Sequence, residues 1–137
     1  MWSDNMNRDL AITVRTKIDW KGGMIEQKML MQIQARLFKA AMVLRAAIVR
    51  KIRKFSYHKV GPSAPGHAPH MRTGILSGRH IFWRVKPGNH YAVEIGTSVL
   101  YGVWLELGTS KMAARPYIRP TFVEQFPRIL RIVSGGR

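Results

Sequence analysis

The chain predicts an α+β fold: an antiparallel sheet packed on one long amphipathic helix, with a long Pro/Gly-rich loop and a short C-terminal helix. Three observations lead there. Residues 10–20 alternate apolar and polar side chains, the period of a strand with one buried face. Residues 24–55 repeat apolar side chains at three- and four-residue steps with no Gly or Pro, the period of a helix. Residues 56–78 carry Gly61, Pro62, Pro65, Gly66, Pro69 and Gly74, which bar regular structure over most of their length.

In the first strand Leu10, Ile12, Val14, Thr16, Ile18 and Trp20 share a face, and Gly22-Gly23 ends it. The helix stripe is Ile25, Met29, Ile33, Leu37, Ala41, Leu44, Ile48, Ile52 and Phe55. About thirty helical residues make a rod of roughly 45 Å. That is long for one domain, so one end is expected to project or to meet another subunit. Its last turns hold Arg45, Arg50, Lys51, Arg53 and Lys54. Such an end suits a helix C-terminus through its dipole, and equally suits a polyanion.

The Pro-rich stretch 56–78 is expected to be an extended arm lying on a neighbour, since prolines reduce the entropy lost on docking. Residues 80–107 are expected to form antiparallel strands, with Pro87-Gly88-Asn89 as a turn. Within them, the apolar run 99–107 fits a helical turn as well as a strand. Residues 108–120 form a Gly-Thr turn and an Arg-Pro segment. Pro120 opens a helix to about Val133, with Phe122, Phe126, Ile129, Leu130 and Val133 on its apolar stripe. Pro127 should kink or split it, and residues 134–137 read as a frayed tail.

At 137 residues the chain is one domain, 1–137, with enough apolar content for a core. It has no cysteine, hence no disulfide framework and no thiolate metal site. No apolar run spans a bilayer and no secretion signal opens the chain, so a cytoplasmic site of synthesis is expected. Lys and Arg number 23 against 7 Asp and Glu, a formal net charge of +16. That excess calls for a polyanion or an acidic protein surface nearby.

Catalytic patterns do not emerge. The seven carboxylates show no acid–base spacing, and no phosphate-binding Gly loop or Gly-x-Ser-x-Gly occurs. His67 and His70 lie on a Pro-interrupted loop without a carboxylate beside them, a poor start for a metal site. No cofactor, metal or catalytic residue is expected. Glu106 is expected to pair with Arg115 or Arg119, pinning the turn to the second helix. Trp20, Trp83 and Trp104 read as core or subunit-interface residues, while Phe82-Trp83-Arg84 would permit weak stacking on single-stranded nucleic acid.

Two segments resemble a known family. They are Tyr101 with Glu106-Leu107-Gly108-Thr109, Lys111-Met112, Ala114-Arg115-Pro116-Tyr117 and Arg119-Pro120, and, upstream, Gly66-His67-Ala68-Pro69-His70 followed by Arg72-Thr73-Gly74-Ile75-Leu76. Together they resemble the neck and tail-completion family of long-tailed double-stranded DNA phages, which includes minor tail protein Z-like proteins. The resemblance covers Gly61 to Phe126, with residues before it matching by pattern alone.

It implies a non-enzymatic virion protein of the neck or head-proximal tail end, assembled in the host cytoplasm. Such a protein forms a homo-oligomeric ring around the DNA path. Its partners would be an adaptor or head-closure protein on one side and a tail terminator or tail tube protein on the other. Two complementary ring surfaces are assigned on that basis: Pro62, Pro65, Pro69, Thr73 and Leu76 on the arm, and Gly108, Thr109, Met112, Arg115, Pro116 and Tyr117 on the turn. Arg45, Arg50, Lys51, Arg53 and Lys54 would face DNA or an acidic partner. The alternative is a small basic nucleic-acid-binding protein, supported by charge and size.

Overall fold

The computed structural model describes residues 12–17, 25–85 and 90–136. The expected features at Leu10, Ile18, Trp20, Gly22-Gly23 and Pro87-Gly88-Asn89 lie outside these residues. Among the described residues no helix is long and apolar enough to cross a membrane.

Helix and strand are mixed in one chain, and the expected long helix is present. In order, the elements are β1 (Ile12–Lys17), α1 (Ile25–Arg53), α2 (Tyr57–Val60), α3 (Ile75–Gly78), β2 (His80–Val85), β3 (His90–Thr97), α4 (Leu100–Leu107) and α5 (Ile118–Ser134). Strand β3 lies between β1 and β2 and runs antiparallel to both, with Val14 opposite Val93 and Phe82 opposite Ile95. The sheet is small, and helices make up most of the described chain.

The core follows the α1 stripe. Leu37, Ala41, Leu44, Ile48 and Ile52 are buried against Val93 and Ile95 of β3 and Ile118 and Ile129 of α5. Ala40 and Ala47 are buried as well. Helix α5 packs along α1. The ends of the predicted stripe behave differently. Met29 and Phe55 are exposed, and no side chain from 27 to 36 is buried. The first turns of α1 therefore extend past the packed layer.

Three expectations need correction. Residues 100–107 form a helix rather than the last part of a strand run. A Gly at 102 and apolar side chains around most of the circumference left the period ambiguous, and tertiary packing decided it. Second, Pro127 does not split α5, which runs from Ile118 to Ser134. Pro127 and Val123, whose carbonyl loses its intrahelical donor, are both on the exposed side, where water can solvate that carbonyl. This helix is also longer than the expected 120–133. Third, its end is capped rather than frayed. Gly135 adopts a left-handed conformation (φ 77°), and the Gly135 and Gly136 amides donate to the Ile132 and Arg131 carbonyls.

The segment 56–78 is not an extended arm either. It folds back on its own chain. The Met71 amide donates to the Phe55 carbonyl and the Tyr57 amide to that of Met71, closing the loop at its base. Ser63, Pro69, Leu76 and Ser77 are buried within the monomer. Prolines here stiffen a loop that already has intrachain partners.

Candidate functional site

The second turn of the sequence motif is built around one carboxylate. The amides of Tyr117, Ile118 and Arg119 donate to Glu106, at 2.7, 2.9 and 2.9 Å. These are orphan donors at the start of α5, and a carboxylate there also complements the helix dipole. Glu106 thus pins the turn to the second helix as expected, but through backbone amides. Of the two expected guanidinium partners, Arg115 does other work. Arg115 donates from Nε to the Ser63 carbonyl at 3.1 Å and from its amide to the Leu105 carbonyl at 2.6 Å.

Between Glu106 and α5 the backbone turns tightly. The Gly108 amide donates to the Trp104 carbonyl and ends α4. Gly108 has φ 78° and ψ 178°, a combination open essentially to glycine alone. A Cβ there would sit 2.9 Å from the Ala114 nitrogen. Thr109 and Met112 then exchange backbone bonds across the link.

Gly102 sets the direction of α4. A Cβ on it would lie 2.9 Å from both Thr97 Cγ2 and the Tyr117 hydroxyl, and 3.0 Å from Leu76 Cδ1. The helix rests on this glycine, so the opposite side points out. Leu100, Trp104 and Leu107 are 51, 47 and 62% exposed, at i, i+4 and i+7. Tyr101 and Ile75 add exposed apolar surface nearby. This face was not legible as a face without the helix assignment. Its signal was the apolar residue on every side of 99–107, which no single core contact could cover.

A second exposed apolar row runs along α5: Val123, Phe126 and Leu130. Phe126 and Leu130 were expected in the core. Ile129 alone of the predicted stripe is fully buried, while Phe122 and Val133 pack on the core's edge.

The loop and the turn, assigned above to opposite ring surfaces, meet within one chain. The Gly66 amide donates to the Ala114 carbonyl, beside the Arg115–Ser63 bond. Between them lies a groove of about 490 Å³. Pro62, Pro69, Thr73, Leu76 and Arg115 all line it. Pro65, Gly108, Thr109, Met112, Pro116 and Tyr117 do not. Tyr117 cannot serve as a surface residue. Its side chain is fully buried, and its hydroxyl reaches the Gly102 carbonyl at 3.4 Å. Burial holds its phenol well above its ordinary range, against the opposing effect of a Thr97 hydrogen bond. Leu76 and Pro69 are likewise buried, which limits what they offer a neighbour.

The basic end of α1 is only partly free. Lys51 pairs with Glu124 of α5, Arg53 donates to the Ser77 hydroxyl, and Lys54 lies over the Phe55 ring. Arg45 is half-buried and engaged, whereas Arg50 is exposed. The five positions spread over roughly 240° of the helix and make no single basic face. Of the histidines, His70 holds the Gly61 carbonyl through Nδ1 at 2.7 Å and packs on Phe55. Among the described residues no three His, Asp or Glu side chains gather as metal ligands would.

No protein-family model, curated protein or solved structure matches the chain.

Proposed function

We propose that this chain is a structural assembly protein that self-associates head to tail into a ring, as a neck or tail-end component of a long-tailed DNA phage. The observation that carries the assembly reading is the α4 face. Leu100, Trp104 and Leu107 form an exposed apolar row on a helix locked in place by Gly102 and Glu106. Contiguous apolar surface of this kind, held rigid, is the ordinary mark of a protein contact. The α5 row of Val123, Phe126 and Leu130 supplies a second, different patch. Two unlike patches are what a closed ring of identical subunits requires.

The phage setting rests on the sequence resemblance. What supports it in the fold is that Glu106, Gly108 and Arg115, all motif residues, interlock as one unit. In this reading the ring joins a head-closure or adaptor protein to a tail terminator or tube protein, in the virion, and catalyses nothing. The net charge of +16 would meet genomic DNA in the channel or acidic patches on the flanking rings.

Negative-stain electron microscopy of the purified chain tests this directly. Closed rings of uniform diameter are expected. Dispersed particles of monomer size at micromolar concentration would remove the ring. The second reading, a nucleic-acid-binding protein, is favoured by exposed Arg50 at the basic end of α1. Duplex DNA binding with a log–log salt slope of roughly −4 to −5 would support it, since that slope needs about five phosphate contacts. The existing partners of Lys51, Arg53 and Lys54 argue for a shallower slope.

A further inference from the structure

The groove between the Pro-rich loop and α4 has a composition that its neighbours in the fold do not explain. Its floor and walls include Ile52, Met71, Leu76 and Leu105. Among the described residues its fixed charges are Arg72 and Arg115, and no carboxylate lines it. Arg115 is anchored by Nε on the Ser63 carbonyl, which leaves its terminal nitrogens without a partner among the described residues. Arg72 is exposed and held by its guanidinium over the Tyr57 ring, 5.3 Å from the centroid.

Ser63 adds an independent observation. It is 6% exposed and lines the groove, and its hydroxyl is buried with no hydrogen-bond partner. A buried hydroxyl left unpaired costs stability, and native proteins satisfy nearly all such groups. The adjoining Arg72 and Thr73 amides also donate to no backbone group in the described chain.

From these features we infer that the groove is a docking site for an extended peptide of a protein partner, one that places a carboxylate beside an aliphatic side chain. The carboxylate bridges Arg72 and Arg115, the aliphatic group lies on Met71 and Leu105, and a peptide polar group completes Ser63. The volume falls within the roughly 300–1,000 Å³ of ordinary binding sites. Arg72 and Thr73 line the groove with amides that have no backbone partner among the described residues, and an apolar pocket lies beside them, which suits an extended peptide. A guanidinium pair favours a carboxylate for its two-pronged geometry. A second copy of this chain is a poor occupant, because so few of its residues are acidic and Glu106 is already committed within the fold. The inference does not depend on the ring.

The test selects a display library of random dodecapeptides on the immobilised full-length chain, then measures synthetic copies of the enriched sequences by fluorescence anisotropy. Enriched sequences should share an acidic residue within two positions of Leu, Ile or Val. Arg72→Gln should weaken their binding about tenfold, the scale of one charge-assisted bond. Among the described residues Arg72 makes no hydrogen bond and gives up only its contact with the Tyr57 ring, so this variant should stay folded, whereas Arg115→Gln also loosens the loop. Arg128→Gln, an exposed charge on α5, should leave affinity unchanged. Failure to enrich any sequence, enrichment without a carboxylate, or equal losses in Arg72→Gln and Arg128→Gln would each overturn the site.

Discussion

In the core, Leu37, Leu44, Ile48 and Ile52 descend one side of α1 and share their burial among many neighbours. Around α4, a single carboxylate holds three amides, one guanidinium holds the loop, and two glycines stand where a Cβ would collide. The first region is stabilised by area, the second by individual bonds. The difference matters for function. An apolar core tolerates variation in its members as long as volume is kept. Under the assembly role proposed above, the α4 region would hold a rigid outward face, and its rigidity rests on a few residues that cannot be exchanged.

The largest effect should come from the core. Ile48→Ala removes a fully buried side chain and should cost about 2–5 kcal/mol in chemical denaturation. In the α4 region Glu106→Ala unties three amides at the start of α5 and should cost about 2 kcal/mol. If Glu106→Ala proved as mild as a surface change, the α4 region would be held by burial like the core, and the contrast would fail.

Gly108→Val comes next, at about 1–3 kcal/mol, from the strain of a positive φ and from contact with the Ala114 nitrogen. An unchanged thermal melt would show the glycine to be dispensable. The mildest change is Tyr117→Phe, at about 1 kcal/mol near neutral pH, for the lost hydroxyl bond. Its pH dependence is more informative. The folded phenol is held above its ordinary 10.0, chiefly by burial, so the folded state keeps a proton that the unfolded state releases. Stability from this group is full below pH 10 and falls as pH rises from there toward the folded value. Wild type should therefore lose stability above pH 10 faster than Tyr117→Phe. Parallel loss in both would show that the hydroxyl is not sequestered.

The contrast between regions also separates what was legible from what was not. The α1 stripe from Ile33 to Ile52 was written in its three- and four-residue steps, because a core contact repeats with the helix. Pro120 likewise marked the first turn of α5, which begins at Ile118, although its apolar spacing misplaced Phe126 and Leu130 in the core. The fold-back of 56–78 was not legible. Its intrachain bonds run from the Gly66 amide to Ala114 and from Arg115 to the Ser63 carbonyl, and a carbonyl or an amide leaves no trace in residue type. Nor was the helical state of 100–107, where apolar residues on all sides hide the period. Glu106 was rightly placed at the turn's junction with α5, but its partners were backbone groups, invisible in composition. Tyr117 was assigned to a ring surface by the resemblance alone; in the fold its side chain is buried, with its hydroxyl against Gly102.

The central claim is that the outward face of α4 is a contact between copies of this chain. Trp104→Asp tests it most directly, because Trp104 is 47% exposed and its loss from the surface leaves the Gly102 and Glu106 contacts in place. Light scattering coupled to size exclusion should give a multi-subunit mass for the wild type. The variant should elute at the 15.7 kDa of a single chain, with its circular dichroism unchanged and its melting lowered only by the loss of assembly. A folded variant that keeps the assembled mass, or a wild type that is itself a monomer, would contradict the account.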